Sequence, residues 1–586
     1  MQKIIDITTG VFLIVITLSF LTTGNIFFNE MASCYTLLFI GIVVICWLVF
    51  QFFRKNSSRK FSIITIDLAF ALFLFWIILN SFLVKKGEVD PFLWHKLGAV
   101  AGFYLLVRLT VQKEFLLYSL TVSGTIQAVM AIAQSRGVLS GHHLMFDVTG
   151  SLGNPGQLGG YLAVCMTVSL CLLVANFGKK KIMTSGLLLA GSVLQGVGLY
   201  LSDSRAGWVG LSIGLACGLF LIFKHKDTKE NVKKLCVLRA FVFKIFLVIL
   251  FLAVGIVFLY NYRPKSADAR VLIWRVSCDM IMDRPLSGHG AGAFDEKYML
   301  YQAAFFEKNP KSPFVLVAGN AGYPFNELLN TVICFGVIGI VLLLFLLWTV
   351  FRNLNSSDDL KFKSKIFKAG LSSWLAFALF SYPTEVFPLL LLAITCLGGI
   401  KSEVKLSFRP SRWFYGVIIL FLAVVSFQVW RDTIELKRLS GKLKDLYENT
   451  SRSMDGIEHS YNKMKFNSTF NNYYMAWLEN QPVERYTAKV KDVLPSCEGY
   501  CMKGKYYLEI GETEQAQQAF YTASKHGSHT HTTQLFPLET LSRKRRHGGG
   551  QKNGSNDTEL SAENGKRLYV ESKERGKEDV GIHRIN

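Results

Sequence analysis

Long apolar blocks separated by short basic loops dominate the first 430 residues. Apolar runs of about 18 or more residues cross a bilayer as helices, because hydrocarbon offers the backbone no partner except itself. The pattern predicts about 13 spans, at 4–23, 32–53, 61–84, 91–109, 114–134, 157–177, 182–201, 206–223, 239–260, 326–350, 366–382, 384–400 and 413–430. Loops after even-numbered spans are basic: Arg54, Lys55, Arg59 and Lys60, then Arg108 and Lys113, then Lys179 to Lys181. The alternation continues through Lys224–Arg239, Arg352–Lys365 and Lys401–Arg412, while most odd-numbered loops are poor in Lys and Arg. Lys85 and Lys86 are the exception. The positive-inside rule then puts the N-terminus in the cytoplasm and the odd-numbered loops outside. Three outward segments follow from this: 135–156, the turn Ser202–Arg205, and the long loop 261–325. With 13 spans the chain after Trp430 is outside as well, and a count different by one would reverse that.

Composition narrows the class further. Of 586 residues 51% are hydrophobic, with a formal net charge of +22 and a mean hydropathy of +0.31. A basic balance can mark nucleic-acid binding. Here the basic residues sit in short loops between apolar runs, where they set topology and meet lipid headgroups, so nucleic acid is excluded as a partner. The first apolar block leads into further spans with no cleavage site, so no cleavable signal peptide is expected. Most of the 11 cysteines lie in apolar runs and act as small hydrophobes. Cys497 and Cys501 differ: outside the membrane they could pair as a disulfide. No Cys–His spacing suggests zinc, and no metal or cofactor is predicted.

The chain divides into a transmembrane domain (1–430), a soluble helical region (431–525) and a polar tail (526–586). The stretch after Cys501 reads as helix, turn and helix, with Gly511 at the turn and Ala516, Ala519 and Ala523 at close-packing positions. It is similar to one tetratricopeptide-type repeat, and equally to an ordinary helical hairpin. A single repeat cannot bury its own face, which implies a neighbouring helix or a protein partner. The tail is basic and of low complexity. It reads either as disorder or as a slipped reading frame, since codons permitted for Arg545–Asp557 can encode an Ala-rich repeat-like stretch one nucleotide later. The fold class is thus all-α: a polytopic membrane bundle with a repeat-like soluble region.

Four outward elements carry candidate chemistry. GSLGNPGQLGGYLA opens the sixth span, with Asn154 in its turn and Gly159 and Gly160 permitting close helix packing. LSDSRAGWVGL puts Arg205 where a helix enters the membrane, a costly site for a charge unless it is functional or snorkels to headgroups. ADARVLIWRVSCDMIMDRPLSGHGAGAFDEKY begins as an amphipathic helix bearing Arg270 and Arg275, which need not share a face. Its glycine turn holds His289 but follows no strand, so it is not a nucleotide loop. GNAGYPFNELLNTVICFGVIGI puts Asn326 and Glu327 at a helix start, where an Asn cap and an acid favour the dipole.

In their order and compartment, GNPGQLGGYLA, SDSRAG, the R…W…D.PLSGHGAGAF block and PFNELLNTVICFGVIGI resemble the O-antigen ligase and polymerase superfamily of bacterial inner membranes. The resemblance covers roughly residues 60–400, and the appended helical region is similar to that of ligase-like proteins of the Bacteroides group. It implies a multi-pass inner-membrane enzyme whose active site and C-terminal region face the periplasm. Such an enzyme transfers an O-antigen-like glycan from undecaprenyl diphosphate to an acceptor hydroxyl such as that of lipid A–core, in lipopolysaccharide biosynthesis. No metal or nucleotide is implied. Cleaving the sugar–diphosphate bond then needs Arg or Lys to take up the leaving charge, and Arg is preferred for its planar fork. Arg205 and Arg270 are assigned to the diphosphate, with Arg275 as the alternative; Tyr323, Asn326 and Asn154 are read as substrate-binding. Family members usually carry a His where this chain has Tyr323. The proton acceptor is therefore His289 or Glu327, or no strong base is used, or this copy is impaired.

A polymerase uses the same donor with a lipid-linked acceptor, and a protein O-oligosaccharyltransferase uses a protein acceptor. A polysaccharide transporter would carry its ionisable residues near the midplane; only Asp67 is read as buried there, while Arg205, Arg270, His289 and Glu327 sit at the outer boundary. A purely structural assembly protein would not need outward arginines at bilayer depth.

Overall fold

The blocks read as spans fold into helices because an apolar segment in lipid can satisfy its backbone only internally. A computed structural model describes residues 2–23, 26–53, 61–141, 146–177, 182–223, 264–352, 359–401, 404–408 and 411–449, with short stretches between 460 and 519. The predicted span 239–260, Cys497, Cys501 and the tail from 526 lie outside the described residues.

The helices are α1 (Gln2–Thr23), α2 (Phe28–Phe53), α3 (Thr65–Leu83), α4 (Phe92–Leu109), α5 (Lys113–Ser135), α6 (Pro155–Phe177), α7 (Ile182–Leu201) and α8 (Arg205–Phe223). Then come α9 (Pro264–Asp283), α10 (Ala293–Lys308), a 3-10 turn (Pro313–Val317), α11 (Glu327–Arg352), α12 (Asp359–Ala378), α13 (Phe387–Gly399) and α14 (Arg412–Asn449). Nine helices among the described residues are long and apolar enough to cross a membrane: α2 to α8, α11 and α14. The predicted spans 366–382 and 384–400 fall on α12 and α13, and α13 has only 13 residues, about 20 Å of helix. Almost all of α13 is buried in the bundle core, so protein rather than lipid surrounds this short element.

One prediction needs trimming. The span expected at 61–84 begins only at Thr65, because Phe61–Ile64 forms a strand, β1, that pairs antiparallel with β2 (Val404–Phe408). These strands join two loops predicted to lie on the same side. Other contacts gather at that end too. Asp67 caps α3 by accepting from Ile64 N (2.8 Å), and it also accepts from the Tyr104 hydroxyl (2.6 Å) and Arg108 Nε (3.0 Å). Asp67 is therefore the terminal cap of a helix and not a charge at mid-membrane. Asp6 accepts from the backbone of Val111 and Gln112, and Lys363 pairs with Glu114 at 2.7 Å.

The opposite end is where α3–α4, α11 and the 379–386 turn meet the long loop. Lys85 pairs there with Glu296 of α10, which accounts for a lysine on the otherwise lysine-poor side. The 38 residues of α14 run about 57 Å, beyond a bilayer's hydrocarbon. The far half packs Leu436, Leu439 and Leu443 with Phe27, Phe92, Met464 and Phe470, so this half of α14 reaches the same end as the long loop. Further on, Gly511 makes a left-handed turn, and Ala516 and Ala519 are buried.

The long loop has a small core of its own, built from Leu272, Val276 and Met280 of α9, Phe294 and Tyr298 of α10, and Ile333 of α11. What ties it to the bundle is a break in α11. Gly336 sits at φ 66, ψ −167, so the helical ladder is interrupted. The backbone of the glycine turn completes it: His289 N donates to Ile333 O (2.9 Å), Gly290 N to Cys334 O (2.8 Å), and Val337 N to Pro285 O (2.8 Å). The Trp76 indole takes the remaining carbonyl, Phe335 O, at 3.0 Å. Backbone approaching backbone leaves no room for side chains. A Cβ on Gly336 would lie 2.1 Å from Leu286 O, and one on Gly288, itself at φ +69, 2.5 Å from Cys334. The glycine-rich motif is thus a strap across a broken helix.

Gly288→Ala and Gly336→Ala should each lower the melting temperature of the detergent-purified protein sharply or abolish a monodisperse peak. Gly186→Ala, where a Cβ meets nothing, should be neutral or slightly stabilising. Equal tolerance of all three would contradict the strap.

Candidate active site

Arg205 is the first residue of α8, reached through a tight turn in which Asp203 adopts φ 49. The turn holds because α6 and α8 touch closely here: a Cβ on Gly159 would fall 2.1 Å from Ser204 Cβ. The arginine therefore projects from a helix N-terminus, where backbone N–H groups already favour an anion. Its Nη2 donates to Ser266 Oγ of α9 at 3.2 Å. Ser266 lies one turn before Arg270, on the same side of α9.

Arg270 is half-buried and lies 5.2 Å above the Phe325 ring. Burial, joined by repulsion from Arg205, holds its guanidinium below its ordinary pKa; an arginine nonetheless stays charged. Two guanidinium groups thus stand close enough to feel each other, one of them partly stripped of water. Phe325 is itself in a left-handed conformation, φ 52. Its segment is fastened to α9 by the Trp274 indole, which donates to Pro324 O at 2.9 Å.

Aromatic rings line the floor beside the pair. Tyr323 stacks on Tyr382 with centroids 4.2 Å apart and planes within 10°, and Phe325 meets Tyr382 edge-on at 5.3 Å. Burial, with the nearby Glu385 carboxylate, raises the Tyr323 phenol well above its ordinary pKa, and burial raises Tyr382. Neither phenol can act as a base near neutral pH. Gln157 of α6 donates to Ser381 Oγ (3.4 Å), while its Oε1 is buried without a hydrogen-bond partner.

The remaining expected residues divide. Asn154 Oδ1 accepts from Gly156 N (2.8 Å) and Asn326 Oδ1 from Leu329 N (3.0 Å), so both cap helices, α6 and α11. Glu327 is buried, and one of its oxygens takes both donors of Thr384, N at 2.9 Å and Oγ1 at 2.6 Å. Arg275, five residues beyond Arg270, faces away from the pair and lies 5.4 Å over the Phe305 ring.

His289 is fully committed within the strap. Nε2 donates to Met280 O at 2.8 Å, which leaves Nδ1 as acceptor toward Lys297 Nζ at 3.4 Å. Met280 lies ten residues past Arg270, about 15 Å along the helix axis, and no partner of His289 touches the arginine pair. Burial lowers the His289 pKa below its ordinary value, which suits this neutral tautomer.

Residues 381–385 were not singled out in the sequence. They bring Tyr382 against Tyr323, Thr384 onto Glu327, and Glu385 to Lys96 Nζ at 3.0 Å. The available signal was a tyrosine and an acid where the predicted spans 366–382 and 384–400 nearly abut. Among the described residues no group of three or more His, Cys, Asp or Glu side chains is arranged to hold a metal.

Because the folded state keeps His289 neutral, its contribution to stability is present above pH 6.5 and is lost as pH falls. The melting temperature of His289→Gln, which keeps a donor for Met280 O, should therefore fall less than wild type between pH 7.5 and 5.5. An identical fall would contradict a buried neutral imidazole.

Comparison with known proteins places these residues in context. An uncharacterized protein of Haemophilus influenzae is 25% identical over 324 residues, covering 52% of this chain and 75% of that protein. Residues 190–344 match the family model described as O-Antigen ligase. The match runs from α7 into α11 and takes in Arg205, Arg270, the strap and the segment from Tyr323 to Glu327, so over this stretch the multi-pass helical protein is similar to the O-antigen ligases.

Proposed function

We propose that the protein transfers an O-antigen-like glycan from undecaprenyl diphosphate to a hydroxyl of lipid A–core, on the periplasmic face of the inner membrane, without a metal. The observation that supports this most is the pair Arg205 and Arg270. The two cations approach each other at a helix N-terminus and at the end of the bundle away from most of its loop lysines and arginines. Their repulsion and partial desolvation are relieved when a dianion sits between them, which is the charge that departs from a sugar–diphosphate bond. The positive-inside distribution supports the outward orientation.

In this reading the acceptor oxygen attacks the anomeric carbon as the bond from that carbon to the diphosphate oxygen breaks. The electron pair leaves on the diphosphate, between Arg205 and Arg270. The stacked Tyr323 and Tyr382 offer a flat face to a sugar ring, and Gln157 Oε1 offers an unused acceptor to a hydroxyl. The acceptor's proton needs a base within hydrogen-bond reach. His289 has both nitrogens engaged, and Glu327 is buried under the two donors of Thr384. Glu385 is different: it is 37% exposed, held by Lys96, and its charge is felt at Tyr323. We assign the proton to Glu385. A polymerase would use the same donor site, and only the acceptor separates the two activities.

In a ligase-deficient host making matching donor glycan, the wild type should attach polymer to lipid A–core. Arg205→Ala and Arg270→Ala should each reduce transfer roughly 10²–10³-fold, and Glu385→Gln about 10²-fold or more, all with normal membrane insertion. His289→Gln should stay within a few-fold of wild type. Free polymer that lengthens only when the protein is present would mean a polymerase. Full activity in both arginine variants would refute the diphosphate site.

A further inference from the structure

The opposite side of α9 carries a second arrangement of charge that the transfer step does not use. Five residues separate Arg270 from Arg275. At 100° per residue that turns the second arginine about 140° from the first and advances it about 7.5 Å along the axis. Arg275 thereby opens onto a cleft of about 480 Å³, whose lining includes Phe305 and Asn309 from the end of α10 and Lys311, Ser312 and Phe314 from the following turn. That volume lies within the range of small-ligand sites, about 300–1,000 Å³.

The lining has the chemistry of an anionic-sugar site. The Arg275 guanidinium is steadied above the Phe305 ring at 5.4 Å, and neither Arg275 nor Lys311 forms an ion pair with a described carboxylate. Two cations without a counter-charge, one of them a planar fork, match a carboxylate or a phosphate. Phe314, half-buried, provides an apolar face for the C–H side of a pyranose, while Phe305 is buried beneath the Arg275 guanidinium and holds it in place. Ser312 and Asn309 supply polar groups from an ordered rim: Ser312 Oγ accepts from Phe314 N at 3.4 Å, and Asn309 Nδ2 donates to Phe305 O at 2.9 Å, leaving its carbonyl oxygen for a ligand. Two prolines, Pro310 and Pro313, stiffen this rim. A lipid headgroup shares only the phosphate and makes no use of the Phe314 ring or of the polar groups on the rim.

We propose that this cleft binds a saccharide residue carrying a carboxylate or phosphate, as a recognition site separate from the diphosphate pair. The assignment deepens the ligase reading by giving its substrate a charge, but the binding itself does not depend on transfer. The sugar could belong to the donor glycan or to a phosphorylated acceptor core, and the probes separate these sources.

The test is direct titration of the full chain in zwitterionic nanodiscs, with three probes at 0.15 M salt, which screens charge beyond about 8 Å. These are a uronate-containing oligosaccharide, a deacylated phosphorylated core oligosaccharide, and the neutral, carboxyl-reduced form of the first. At least one anionic probe should bind about ten-fold or more tightly than the neutral one. That preference should vanish in Arg275→Ala and in Lys311→Ala and persist in Arg270→Ala; the probe that binds identifies the source. No preference for charge, loss in Arg270→Ala alone, or equally effective displacement by glycerol phosphate would each overturn the proposal. Transfer assays of the same variants keep the two readings apart: a cleft that fails to bind leaves the arginine pair untouched, and an inactive protein can still bind the sugar.

Discussion

The arrangement that everything else leans on is the broken backbone of α11. A membrane helix interrupted at Gly336 exposes carbonyls and amides that hydrocarbon cannot satisfy. The turn from Pro285 to Gly290 supplies those partners, with the Trp76 indole covering one carbonyl from the other side. Because each missing partner would be costly, the loop cannot leave α11 without leaving buried polar groups unpaired. The strap fixes the end of α9 over the bundle, and the Trp274 indole fixes its middle to Pro324. With the helix held at those two points, the direction of Arg270, one turn before Trp274, is set.

From that anchoring the electrostatics follow. α6 and α8 meet at Gly159 and Ser204, which sets the height of the Arg205 turn. α9 lies across that turn and brings a second guanidinium toward it, and the turn carrying Tyr382 closes the floor with a stack on Tyr323. Like charges brought together and partly desolvated cost free energy in the empty protein. An anionic ligand recovers that cost, more so when it carries two charges. In the proposed reading that ligand is a diphosphate, which gains charge as its bond to sugar breaks, so the stabilisation is greatest when the charge is fully developed.

Much of this could be read in the chain before any coordinates. Helices occupy every predicted span within the described residues, because length and apolarity alone dictate helix in lipid. The basic alternation grouped Arg108, Lys113 and Lys363 at one end and the outward elements at the other. Arg205 stood out because a charge at that depth needs a reason, and Arg270 because the resemblance implies a second cation at the diphosphate. The rest depended on contacts distant in sequence. β1 was hidden in an apolar run whose partner strand is more than 300 residues away. Nothing in the sequence marks Gly336 as the break in α11, so the glycine turn is not recognisable there as its complement, and His289 reads as a candidate base instead of a member of the strap. Tyr382 and Glu385 lie outside every motif noted in the sequence and matter only because the 381–385 turn folds back on Tyr323 and Glu327.

The account rests on Arg205 and Arg270 acting as one site rather than as two separate surface cations. The direct measurement is a double-mutant cycle on binding of a short-chain prenyl diphosphate to the protein in nanodiscs, comparing wild type, Arg205→Ala, Arg270→Ala and the double variant. Residues that share one ligand group are coupled, typically by about 0.5–3 kcal/mol. The account predicts that the double variant loses little more affinity than either single one. Losses that simply add, or a prenyl diphosphate that binds all four proteins alike, would contradict it.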